Sequence, residues 1–128
     1  MKIVAMIARY LLGLMFFVFG LNSFLHFIPQ GPEQPGNAGA FLGLLMAAHY
    51  FYAIGTVMVI AGVLLLANRY VALGLTLLGP VLVNILVFHI LMAPSSIWLG
   101  MFATLLWFLV FWWHRAAFAG IFAAKVEG

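Results

Sequence analysis

VIAGVLLLANRYVALGLTLLGPVLVNILVFHILMAP, residues 59–94, decides how this chain is read. Two apolar runs flank one polar turn, Asn68-Arg69-Tyr70, and the second run carries no charged residue over 71–93. About 20 such residues suffice for a helix to cross a hydrocarbon core. Within PVLVNILVFHI, residues 80–90, an amide and an imidazole, Asn84 and His89, stand in otherwise apolar surroundings. They need partners, because an unpaired polar group in hydrocarbon costs several kcal/mol.

Working outward, the whole chain has the same character. Of 128 residues, 68% are hydrophobic and 5% charged, with a mean hydropathy of +1.27. Soluble domains carry about a quarter charged residues, so this composition points to a membrane protein with the lipid bilayer as its first partner. The net charge of +3 comes from scattered basic residues, which form no stripe for nucleic acid. The absence of cysteine excludes disulfides, thiol catalysis and thiolate metal sites. The start MKIVAMIARYLLGLMFFVFG has the basic-then-apolar order of a signal peptide. The run continues to Phe27 with no small-residue cleavage site, and is read as a retained first span.

An all-α integral membrane four-helix bundle is predicted, as a single domain with spans at about 3–27, 50–67, 71–93 and 97–118. The stretch PQGPEQPGNAG, 29–39, is rich in proline, glycine and amides and is read as an outer loop. The apolar segment 40–67 is too long for one span. Its ~28 residues would make a helix of ~42 Å against a core of ~30 Å. The segment must either tilt strongly as one helix or break, and a break near Ala47-Ala48-His49-Tyr50 is expected, leaving a short interfacial helix at about 41–48 before the second span.

Lys2, Arg9, Arg69, Arg115 and Lys125 all fall at one side of this arrangement, and the outer segments hold only Glu33. The positive-inside rule then places both termini in the cytoplasm. Tyr70, Trp112 and Trp113 suit the inner interface, and Tyr50, Tyr52 and Trp98 the outer one. Gly13 and Gly20 share a face of the first span, Gly55 and Gly62 a face of the second, and Gly74 and Gly79 open the third. Such faces let helix backbones approach closely in lipid, within a chain or between copies. Pro80 removes one backbone donor and frees the carbonyl of Thr76, which the Thr76 side chain is expected to help satisfy.

The polar residues inside the spans are the functional candidates. Asn22 and His26 lie one turn apart near the outer end of the first span. His49 starts the second span, His89 lies near the outer end of the third, and Asn84 lies deeper. His114, beside Arg115, reads as an ordinary interfacial residue. Two readings are open. The polar groups hydrogen-bond between helices, or Asn22, His26, His49, Asn84 and His89 build one outward-opening pocket. Asn84 and His89 are about 140° apart around a straight helix, which argues against their facing one point. No metal site is expected, because the histidines form no HxxxH or HxH pair and no carboxylate joins them. No paired acids, phosphate loop or nucleophile with its base can be assembled from spacing.

The run ARYLLGLMFFVFGLNSFLHFIP, 8–29, resembles the first span of the DoxX family of small bacterial membrane proteins. Residues 59–94, with the Asn-Arg-Tyr turn and the Pro-x-x-x-Asn spacing of Pro80 and Asn84, resemble the family's second and third spans. The resemblance implies a four-span bundle in the bacterial cytoplasmic (inner) membrane. It also implies an accessory role beside redox proteins, the family being named for a thiosulfate:quinone oxidoreductase subunit. It carries over Asn22, His26, Asn84 and His89 as site positions. Relatives often carry an acid just before the VIAG-like stretch, where this chain has Met58, so any role of that acid is in doubt here.

Three functions follow as expectations. The first is a subunit or accessory of a membrane redox system that binds a quinone or another lipophilic ligand near aromatic residues such as Phe24, Phe27 and Phe88, and a redox protein partner. The second is a small-molecule carrier or pore, as a homo-oligomer. The third is a structural or assembly protein without ligand. Autonomous catalysis is not expected of any of them.

Overall fold

The computed structural model describes residues 1–27 and 36–126. Among these it is all-helical, with five α-helices: α1 (Lys2–Leu25), α2 (Gly36–Ala47), α3 (Tyr50–Ala67), α4 (Val71–Met92) and α5 (Trp98–Trp113). Three of them, α1, α3 and α4, are long and apolar enough to cross a membrane. Most of the large apolar side chains outside the core point away from the protein, among them Ile3, Leu44, Leu91, Met101 and Phe108. Exposed apolar surface on this scale is compatible with lipid contact.

Several boundaries differ from the sequence reading. The first helix stops at Leu25, where His26 turns left-handed at φ 51° and its amide donates to Asn22 O. The loop predicted over 29–39 gives way to helix from Gly36, so the short helix predicted at 41–48 is longer and ends at Ala47. The rest of that loop lies outside the described residues. Segment 40–67 breaks at Ala48-His49, and His49 takes φ 58° ahead of Tyr50. The last helix has 16 residues, ~24 Å at 1.5 Å each, followed by a 3₁₀ turn at Arg115–Phe118. It is therefore shorter than the predicted 97–118 span.

Helix packing runs in a ring: α1 against α3, α3 against α4, α4 against α5, and α5 against α1, with α2 resting on α3 and α4. The α1–α3 contact is the most extensive, and glycine explains it. A methyl group added at Gly62 would come within 2.7 Å of Phe17 N and 2.8 Å of Gly13 O. One added at Gly20 would come within 2.9 Å of Gly55 O and of Val59 N. The two glycine pairs thus face each other along one antiparallel seam inside the chain. Gly74 packs more loosely, with Ala61 O at 3.4 Å, and Gly79 faces open space.

The core lies along this ring. Leu12, Leu65, Leu75, Leu78 and Val110 are fully buried, and Phe118 closes one end. Arg9, expected only as an orienting charge, is buried there as well. Its guanidinium donates to Leu65 O, one of the last-turn carbonyls of α3. It thereby complements the negative end of that helix dipole. Asn68, left-handed at φ 54°, caps the same helix end through its amide. Trp107 Nε1 donates to Leu75 O at 2.9 Å and ties α5 to α4. Thr76 does not serve the carbonyl freed by Pro80: its hydroxyl donates to Ala72 O at 2.8 Å.

Candidate functional site

The antiparallel order brings the C-terminal ends of α1 and α4 to the N-terminal end of α3. A partly open cavity of about 1010 Å³ lies there, and Asn22, His26, His49, Asn84 and His89 all line it. Pockets for drug-sized molecules span about 300–1,000 Å³, so the space is large enough for a substantial ligand. The remaining lining is mostly apolar: Phe19 from α1, Phe41, Leu42, Leu45 and Met46 from α2, Ile54 and Met58 from α3, and Val81, Ile85 and Phe88 from α4.

The angular separation of Asn84 and His89 does not keep them apart. The cavity wraps the side of α4 that faces both α2 and α3, so residues from Pro80 to Met92 reach it from a broad arc. Neither side chain is used to join helices. Asn84 Nδ2 donates to Pro80 O at 2.9 Å. His89 Nδ1 lies 2.8 Å from Ile85 O. Both bonds run one turn back along α4, and both residues line the cavity.

His26 and His49 reach the site through backbone form. Each is a non-glycine residue with positive φ at a helix boundary, a conformation for which histidine is enriched. The left-handed turn at His49 also redirects the chain from α2 into α3. The His49 ring stacks on Tyr52 at 5.6 Å, and Tyr52 stacks on Phe24 at 5.3 Å. On the opposite wall, Phe41 stacks on Phe88 at 5.7 Å, and Phe88 meets the His89 ring edge-on at 5.1 Å. Two short aromatic ladders therefore flank the space.

A second cavity, about 450 Å³, lies between α1, α4 and α5. Phe19, Met58, Ile85 and His89 line both cavities and form the wall between them. Met58, flagged for the missing acid, thus sits at the junction. The sequence reading missed α2 as a wall, along with Phe19 and Ser23. Ser23, one residue from Asn22, was the only legible signal among these. Among the described residues, no three of His, Cys, Asp and Glu come together as a metal site. Arg9, Arg69 and Arg115 lie at the other end of the helices, away from the cavity. No family model, curated protein or solved structure matches this chain significantly.

Proposed function

We propose that this chain is a small integral membrane protein of DoxX type that holds a lipophilic ligand as an accessory subunit of a membrane redox system. One observation carries the reading: five polar residues, singled out by chemistry alone, line one cavity walled by apolar and aromatic side chains. A quinone or similar molecule needs such a slot with a few hydrogen-bonding groups. In this reading α5 serves as a fourth span, its shortfall met by local bilayer thinning and by Trp98, Trp112 and Trp113 at its ends. The basic end faces the cytoplasm of a bacterial inner membrane, and the cavity opens outward. A redox protein partner docks from outside the described structure.

The assembly reading is weakened by Asn84 and His89, whose hydrogen bonds stay within α4. The carrier reading draws support only from the second cavity behind His89. Mass spectrometry of protein extracted in mild detergent tests the main proposal. A retained lipophilic molecule in stoichiometric amount, lost in His26→Ala, is the expected result. Bulk lipid alone would sink it, and flux across reconstituted vesicles would favour a carrier.

A further inference from the structure

We propose that His89, on the α4 wall of the cavity, selects a ligand that donates a hydrogen bond, namely an aromatic hydroxyl compound such as a hydroquinone, over its acceptor-only counterpart. This rests on the ligand-holding reading above and adds the chemistry of the ligand. Main-chain carbonyls can only accept. Pro80 O takes one N–H of Asn84, at 2.9 Å, so the amide keeps a second N–H donor beside its Oδ1 acceptor and favours neither kind of ligand. His89 differs, because Ile85 O requires its Nδ1 to carry a proton. A neutral imidazole that donates through Nδ1 offers Nε2 as an acceptor. The local bond that fixes the His89 ring thus also fixes its polarity.

A quinone carbonyl placed against His89 Nε2 meets a lone pair and leaves it unpaired, which costs binding. A phenolic hydroxyl supplies the missing proton. The aromatic requirement comes from the neighbouring rings. Phe41 and Phe88 stack beside the His89 ring, and Tyr52 stands on the α3 wall of the same cavity.

The test compares para-nonylphenol with its methyl ether, para-nonylanisole, which keeps the ring and tail and loses the donor. Equilibrium binding to the detergent-solubilised full chain is measured at about pH 8, with correction for partition into empty micelles. The phenol is expected to bind about ten-fold tighter, the size of one well-made hydrogen bond. That preference should shrink toward unity in His89→Phe. Equal binding of both probes to the wild-type chain overturns the donor inference while leaving a lipophilic site. Binding of neither overturns the site itself. A preference that survives in His89→Phe moves the acceptor off that residue and also overturns the inference.

Discussion

The two ends of this molecule are built from the same helices and behave in opposite ways. At the basic end, α1, α3, α4 and α5 close on one another, with Leu65, Leu75 and Val110 fully buried. The one buried charge there, Arg9, is spent on a helix terminus. At the other end α2 is wedged against α3 and α4 by large side chains, and only its Ala38 is buried. The space it walls off keeps histidines and amides around it. The contrast teaches that polarity in a spanning helix has two outlets. A polar group that meets a neighbour's backbone locks packing, as Arg9 and Trp107 do. One that turns back on its own helix, as Asn84 and His89 do, joins no neighbour.

The sharpest way to break this comparison is at the glycine seam. Gly62→Val should destabilise the folded chain most, by about 3 kcal/mol or more, because its side chain would strike the α1 backbone rather than a movable side chain. Unfolding in mixed micelles under increasing SDS measures it. Arg9→Met should come next, with a loss of about 1.5–3 kcal/mol from the charged hydrogen bond to Leu65 O. An unchanged midpoint in the same titration would mean that the basic end is not held by this group. Asn84→Leu should move stability by less than about 1 kcal/mol, since its bond joins no helices, yet reduce ligand retention at least several-fold. A large stability loss with retention intact would restore the interhelical-glue reading. The smallest effect belongs to Gly79→Ala, within about 0.5 kcal/mol of wild type, because nothing lies within 4 Å of the added methyl. A strong effect there would instead point to a second copy packed on that face.

Much of the architecture was legible in the chain. Segment 40–67 was too long for one upright span, so it had to tilt or break, and the structure breaks it at Ala48-His49. Gly13, Gly20, Gly55 and Gly62 carried the seam in their seven-residue spacing. The cavity residues were visible as polar points in apolar runs, but their convergence was not. Asn84 and His89 looked incompatible at about 140°, because helix geometry alone does not say that a third element, α2, widens the space they share. The role of Arg9 was hidden for a related reason: a basic residue near a terminus carries a topological signal, and its burial depends on which carbonyl another helix brings to it.

By itself, the sequence determined that the chain is helical, that its long helices are apolar enough to suit a membrane, and which polar groups hydrocarbon would not tolerate alone. Each follows from the balance between apolar length and unpaired polarity, which is local in the chain. Only the tertiary structure decided which faces of the helices meet. Helices that are apolar all round carry no stripe to mark an inner side, and lipid supplies no hydrophobic force to choose one. Close backbone approach at the glycines and the obstruction by α2 made that choice, and with it placed five scattered polar residues around one cavity.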